Sequence, residues 1–302
     1  MLPGARSTPG GNAVSDRRRV GSVPGVSEWT WRWDESLYQG SAAHYRVGRM
    51  PYPEDIADEL RAALGLDGTG RLLDVGCGPG SLTLLLAPLF RSAVGVDADG
   101  EMLREAEREA GRTGVGNVEW RRMRAEELPG GLGTFDVVTF AQSFHWMDQP
   151  AVARAVRPML APGGVWVHVG ATTHQGVDGE DPLPHPRPPW AAITGLVERY
   201  LGTARRAGRG TLPDGNRSGE EDVMRAAGYD GPQRIEVARG EIATRTLDEV
   251  VSAVFSLSGS APHLFGDRQE DFERDLRELL RETSANGLFA ERLREIELVL
   301  WR

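Results

Sequence analysis

Between residues 71 and 170 the apolar positions form short strand-length runs separated by segments of helical period. Residues 72–75, 93–96, 118–122, 135–142 and 165–170 read as strands, bounded by Gly, Pro or charged residues. The stretch 81–90 is apolar almost all round, as expected of a helix buried against a sheet. Residues 100–110 place Met102, Leu103, Ala106 and Ala110 on one helical face, and a helix over 151–160 stops at Ala161-Pro162-Gly163-Gly164. Strand–helix alternation of this kind predicts an α/β, doubly wound, mostly parallel sheet with helices on both faces. Upstream, Ile56, Leu60 and Leu64 give residues 53–66 an amphipathic helical pattern, and aromatics crowd the segment 29–52. Downstream the signal weakens: a loop at 175–189, helices at 190–201, 218–227, 247–257 and 267–283, and strands at 233–244 and 293–301. Residues 1–27, rich in Gly, Ser, Pro and Arg, predict a disordered tail. The rest, 28–302, reads as one domain with its core at 71–170 and a C-terminal half at 171–302.

The first strand ends on Asp74-Val75 and runs into Gly76, Gly78 and Gly80. Glycines belong where the backbone turns sharply and approaches a ligand, because a Cβ would block both. The second strand ends on Asp97. Ligands of open α/β sheets lie outside the carboxyl ends of the strands, so loop and acid border one crevice. A nucleoside-containing cofactor suits it, with Asp97 accepting hydrogen bonds from ribose hydroxyls. A dinucleotide fingerprint would need glycine at position 81, where Ser81 stands.

The G-x-G-x-G spacing together with Asp74 and Asp97 resembles motifs I and II of the class I S-adenosylmethionine (SAM)-dependent methyltransferases. Further elements resemble the same family, in its type 11-like, small-molecule group. They are Ala125-Glu126-Glu127-Leu128-Pro129, Phe135-Asp136-Val137-Val138 and Leu160-Ala161-Pro162-Gly163-Gly164. Ala141-Gln142-Ser143-Phe144-His145-Trp146 is similar to an A-x-x-x-H-W element of that group, and Tyr45 to Pro53 to a Y-x-x-x-R-P-x-Y-P segment that covers the cofactor. The resemblance implies a seven-stranded sheet with its last strand antiparallel, and a helical insertion at about 245–287 between strands six and seven. It implies SAM as cofactor, held by Asp74, Gly76, Gly78, Gly80, Asp97, Ala98 and Met102, by Ala125, Glu126 and Gln142, and by Arg49 at the methionine carboxylate. One position departs from the pattern: Arg124 stands where related enzymes carry an acid for the adenine amino group, and a guanidinium cannot accept a hydrogen bond. Glu126 or a backbone carbonyl would have to replace it.

His145 is the general-base candidate, since an imidazole titrates near neutrality. The other reading is a structural histidine that shapes the site with Trp146. The expected activity is methyl transfer to an O, N or C atom of a small organic acceptor. Tyr45 and Trp146 would contact that acceptor. Phe255 and Phe265, clustered with Ser256, Ser258 and His263 in the insertion, are further wall candidates; the alternative is that they form the insertion's own core. An NAD(P)-linked oxidoreductase and a catalytically idle SAM-binding regulatory protein are the rival readings.

The formal net charge of −9 argues against a nucleic-acid partner. All 35 basic residues are arginine, which excludes a Walker A loop and Schiff-base chemistry, both of which need lysine. The one cysteine, Cys77, allows no intrachain disulfide and fits a reducing, cytoplasmic setting. No apolar run reaches membrane-span length, and no apolar segment follows Arg17-Arg18-Arg19 to make a signal sequence. The sequon at Asn216 carries meaning only on export, and the six histidines show no metal-ligand spacing, so no metal is expected. Oligomeric state is open at this level.

Overall fold

The computed structural model describes residues 34–180, 182–204, 206–207, 210–211, 219–237 and 240–302. The expected tail at 1–27, the tryptophans at 29, 31 and 33, and the sequon lie outside these residues. The main sheet has seven strands. Strands β1 (Arg71–Val75), β2 (Ser92–Asp97), β3 (Val118–Arg122), β4 (Phe135–Ala141) and β5 (Leu160–Gly170) are mutually parallel. Beyond β5, a two-residue ribbon pairs β6 (Arg206–Ala207) with β7 (Gly210–Thr211). The chain then forms β8 (Gln233–Val237), β9 (Ile242–Thr246), β10 (Leu288–Arg292) and β11 (Ile296–Trp301). The sheet order is β3-β2-β1-β4-β5-β11-β8, with β11 antiparallel to both neighbours. The chain leaves β1 outward through β2 and β3, then crosses back to β4. The switch point therefore lies between β1 and β4, at whose carboxyl ends Gly76 and Gln142 stand.

The central strands are buried on both faces, which is why they read as continuous apolar runs rather than alternating ones. One face packs Val75, Phe140 and Trp166 against Val152, Met224 and Tyr229; the other packs Leu72, Val137 and Val167 against Ile56, Leu60 and Leu86. The helices are α1 (Ala42–Gly48), α2 (Asp55–Leu64), α3 (Ser81–Leu86), α4 (Gly100–Thr113), α5 (Gln149–Val156), α6 (Trp190–Leu201), α7 (Glu220–Ala226), α8 (Leu247–Phe255) and α9 (Gln269–Thr283). Two are shorter than expected for the same reason. Pro88 and Pro158 lack the N–H that an α-helix needs, and tight 3-10 turns at Ala87–Leu89 and Arg157–Met159 replace the last α-turn. Helix α5 also starts before residue 151, because the Asp148 side chain accepts the Ala151 N–H at 3.0 Å as an N-cap.

The strand expected at 233–244 is two strands in different sheets. Strand β8 closes the main sheet, whereas β9 pairs antiparallel with β10 from Thr246↔Leu288 to Ile242↔Arg292. This ribbon encloses α8 and α9, so the insertion reaches past both ends of 245–287. Its core is separate: Ile193, Leu196, Val250, Phe255, Phe272 and Leu276 are all buried together. Helix α1 lies on α8 backbone to backbone. A Cβ on Gly48 would fall 2.2 Å from Ala253 N, and Ser41 Oγ donates to Phe255 O at 2.8 Å.

Candidate cofactor-binding and active site

The loop after β1 is folded back onto the end of β2. Gly76 N–H and Cys77 N–H donate to Val96 O at 2.8 and 3.1 Å, and Gly78 N–H donates to Asp97 Oδ2 at 2.8 Å. The other Asp97 oxygen accepts the Asp99 N–H at 2.8 Å, and Asp99 in turn caps α4 through the Glu101 N–H. Gly76, at φ 69°, could not carry a Cβ, which would lie 2.5 Å from Ser143 Cβ. Gly78, at φ 54°, faces open space: nothing lies within 4 Å of where its Cβ would be. That bare backbone surface opens into the cleft beside Asp97. Burial pushes the Asp97 carboxyl up to about 6, against the pull of the Asp99 and Gly78 N–H groups; the Asp99 and Asp74 carboxylates add to the rise.

The cleft holds about 690 Å³ of non-atom space, part of it open to solvent. Of the residues singled out in the sequence, Gly76, Gly78, Asp97, Ala98 and Met102 line its near wall. Ala125 and Glu126 line the turn after β3, and Gln142, Trp146 and Tyr45 close the side over β4. Gln142 is the one non-glycine residue among the described positions with positive φ, at 54°, and its Nε2 donates to Val169 O at 3.4 Å. Such conformations cost energy and collect at functional sites.

Six of the expected site residues sit elsewhere. Asp74 lies beneath the loop, 1% exposed, and accepts Thr83 Oγ1 at 2.5 Å and Thr139 Oγ1 at 2.7 Å. It ties β1 to α3 and β4 and presents nothing to the cleft; burial raises its carboxyl pKa, and the two hydroxyl bonds oppose that rise. Gly80 is a packing glycine, since a Cβ would meet the Trp120 ring at 2.6 Å. Arg49 stands behind Tyr45, 4.6 Å from its ring, and donates to Ser256 Oγ (2.8 Å), Ser256 O (3.0 Å) and Thr173 Oγ1 (3.3 Å). It fastens the N-terminal segment to the insertion and does not line the cleft. His145 occupies the 3-10 turn Phe144–Trp146, half-buried, its ring 4.8 Å from that of Trp146, and is not on the lining.

Phe255 and Phe265, expected as acceptor walls, are 0% and 3% exposed in the insertion core, where Phe265 stacks on Phe272 at 4.0 Å. Both are on the inner side of the insertion, away from the cleft, because α9 supplies an apolar face for them to cover. The structure supplies other walls. Tyr38 meets Tyr45 and Trp146 edge-on, each at 6.3 Å, and lines the cleft with Met123, Ser143 and Met147. Its hydroxyl bonds to the Trp146 and Ser258 side chains, and burial pushes its pKa well up. The aromatic density of the N-terminal segment was the available signal for Tyr38. Met123 and Met147 carried none beyond their adjacency to motif residues. No three His, Cys, Asp or Glu side chains among the described residues group to hold a metal ion.

Residues 72–164 match the family model for a methyltransferase domain. An uncharacterized methyltransferase of Mycobacterium tuberculosis is 36% identical over 140 residues, 45% of this chain and 54% of the relative. A ubiquinone biosynthesis O-methyltransferase of Cereibacter sphaeroides is 37% identical over 125 residues, 39% of this chain and 50% of the relative. The chain thus spans about half the length of the curated relatives it matches. The YcgJ protein of Bacillus subtilis superposes with a TM-score of 0.48 at 20% identity, covering 82% of this chain and 98% of that one. Residues 72–164 are thus similar to a methyltransferase domain, and the match spans the glycine loop, β2 to β4 and the cleft residues from Gly76 to Met147.

Proposed function

We propose that the protein transfers the methyl group of SAM to a nucleophilic oxygen, nitrogen or carbon atom of a small organic acceptor. The observation that carries this reading is the bare face of Gly78 hydrogen-bonded to Asp97 at the mouth of the cleft. The donor set suits a nucleoside: a carboxylate for ribose hydroxyls, a glycine backbone that tolerates close approach, and apolar walls at Met102 and Ala125. SAM, when bound, supplies a methyl group already activated by its sulfonium.

The chain's own residues then bind, orient and exclude water. Asp97 accepts ribose hydrogen bonds while its loop tethers hold the carboxylate in place. Tyr38, Tyr45 and Trp146 present edge-packed aromatic surface to an acceptor. Their mutual packing fixes its approach, and such positioning supplies much of the rate of a displacement reaction. His145 acts in this reading through Trp146, as a positioning residue. The name of the Cereibacter relative makes oxygen the first acceptor atom to test. A cytoplasmic setting belongs to the same reading and rests on the single cysteine, which is buried. Among the described residues no helix is long and apolar enough to cross a membrane.

Calorimetry with S-adenosylhomocysteine, followed by transfer of labelled methyl from SAM to a metabolite pool, tests the proposal. Absence of binding to folded protein would refute it. Binding with no labelled product from any acceptor would favour the idle SAM-binding protein instead.

A further inference from the structure

We propose that Arg49 is a positioning residue for the methyl acceptor: through it the insertion, by way of Ser256, fixes Tyr45 in the cleft wall. The proposal rests on the methyl-transfer reading for the existence of an acceptor, and it gives Arg49 no contact with the cofactor. Arg49 is the C-cap of α1, and its backbone N–H donates to Tyr45 O at 3.0 Å. Its guanidinium turns back over the same residue, 4.6 Å from the centre of the Tyr45 ring. Tyr45 lines the cleft, and among the described residues no hydrogen bond ties its hydroxyl. The place of this ring is therefore set by what packs on it, Arg49 and the Tyr38 ring at 6.3 Å.

The guanidinium is anchored from behind the wall. Nε donates to Ser256 Oγ at 2.8 Å, Nη2 to Ser256 O at 3.0 Å and Nη1 to Thr173 Oγ1 at 3.3 Å. Ser256 is fully buried at the C-cap of α8, and its hydroxyl donates in turn to Ala253 O at 2.6 Å. A cation beside the last carbonyls of a helix is favourably placed in the helix dipole. Thr173 follows β5, and its carbonyl accepts the Met50 N–H at 2.7 Å. One planar group thus joins α1, the end of the main sheet and the insertion, and lies over the cleft-lining tyrosine. The rigid fork of an arginine makes these bonds from one plane, which the point charge of a lysine cannot do.

This group is how the insertion reaches the cleft. Phe255 and Phe265 are spent on its own core, whereas the next residue after Phe255 meets Arg49. From Arg49 the packing continues through Tyr45 and Tyr38 to Trp146, the aromatic surface proposed to face the acceptor. The residues proposed for the cofactor's nucleoside are on the other wall, at the glycine loop, Asp97 and the turn after β3. A displaced Tyr45 therefore alters the space left for an acceptor and leaves the nucleoside contacts in place.

The first test is calorimetry on the full chain with S-adenosylhomocysteine and with 5′-methylthioadenosine, which lacks the amino-acid end. R49M should keep wild-type affinity for both within about threefold, because no hydrogen bond to a charged cofactor group is lost. A selective loss of S-adenosylhomocysteine binding in folded R49M would make Arg49 a ligand of the cofactor carboxylate and overturn the proposal. The second test measures methyl transfer from labelled SAM to a panel of phenols, amines and carboxylic acids. For the best acceptor, R49M should raise KM about two- to thirtyfold, the worth of a cation–π contact. R49K should resemble R49M, and S256A should show a smaller rise in the same sense. In a Y45L background neither R49M nor S256A should raise KM further, a dependence that a general loss of stability would not produce. Unfolding midpoints check that each variant is folded, and S256A carries both tests should R49M prove unfolded. Unchanged KM in the folded variants, or full additivity with Y45L, would overturn the proposal. Failure of wild type to bind S-adenosylhomocysteine would instead overturn the reading of the cofactor. Binding without transfer to any member of the panel would overturn the methyl-transfer reading, and this proposal with it.

Discussion

The Asp97 carboxylate and the Gly78 N–H are 2.8 Å apart, so the acid proposed for the ribose and the bare glycine beside it in the cleft form one hydrogen-bonded unit. Removing the acid therefore removes both the ribose contact and a tether of the loop. Asp97→Ala should weaken S-adenosylhomocysteine binding roughly ten- to a hundredfold, the effect of losing about 1.5–3 kcal/mol of hydrogen bonding to a charged acceptor. Calorimetry on the folded variant checks this.

The same carboxyl makes binding depend on pH. Asp97 titrates near 6 rather than at the usual 3.8, because burial disfavours its charge. Ribose hydroxyls donate to the carboxylate form, so affinity should be flat above about pH 7 and fall about tenfold per pH unit once below 6. Its contribution to the stability of the unliganded protein has the opposite sign. A raised acid pKa means the folded state binds the proton more tightly than the unfolded one. The cost of the buried charge is fully present above 6 and is relieved as pH falls toward 3.8. Titrations between about pH 5 and pH 8 should show the affinity loss; a flat profile would remove Asp97 from the binding site.

Asp74 predicts the reverse pattern, stability without binding. Its two hydroxyl partners are Thr83 and Thr139, and all three residues are buried. Thr139→Val keeps the shape and removes one donor from a buried carboxylate. It should cost about 1–3 kcal/mol in denaturant unfolding, with cofactor affinity changed less than about threefold. A large loss of affinity at unchanged stability would return Asp74 to the cofactor's contacts.

A buried ion pair joins β9 to β10 inside the insertion. Arg245 Nη1 meets Glu291 Oε2 at 3.0 Å, with side-chain exposures of 5% and 3%. Arg245 also donates to His174 O (2.8 Å), Gly48 O (2.7 Å) and Glu249 O (3.0 Å), and Glu291 Oε1 accepts the Gly176 and Trp190 N–H groups at 2.8 Å. Breaking one side of such a pair typically costs about 3–5 kcal/mol. Glu291→Ala should lose about that much, and the double variant with Arg245→Met should lose less than the sum of the single variants. Additive losses would show the two residues to be independent.

The legible parts of the sequence were those governed by local rules. Apolar runs and the glycine loop marked β1 through β5, because buried parallel strands have no polar face to blur the pattern. Pro88 and Pro158 break the α-helices, yet the apolar pattern runs across both, so the helices read as longer than they are. The C-terminal half was harder for a physical reason. Arg245 and Glu291 look like surface charges on their strands, and only the pairing of β9 with β10 brings them together inside. Phe255 and Phe265 looked like pocket walls because apolar residues of a site and of a core are alike in sequence. Their place was set by α9 packing against them, a contact between distant segments. The departure at Arg124 was visible at once, whereas the anchoring of Glu126 by the Asp148 N–H needed three dimensions.

The turn Phe144–Trp146 separates two roles that the sequence left joined. Trp146 lines the cleft and meets Tyr38 edge-on, whereas His145 packs beside Trp146 at 4.8 Å and is off the lining. A general base must come within about 2.6–3.2 Å of the proton it removes, or act through one water. If His145 served as one, His145→Ala would lower turnover by roughly 10²–10⁴-fold with cofactor affinity unchanged. Acting through Trp146, it should lower turnover less than tenfold, and His145→Gln should stay near wild type. Trp146→Ala should do more: it removes acceptor-facing surface and frees Tyr38, so KM for the acceptor should rise and kcat should fall together. Turnover and KM measured across the three variants, with the first acceptor found, separate the roles. A hundredfold loss in His145→Ala with an intact Trp146→Ala enzyme would reverse the assignment.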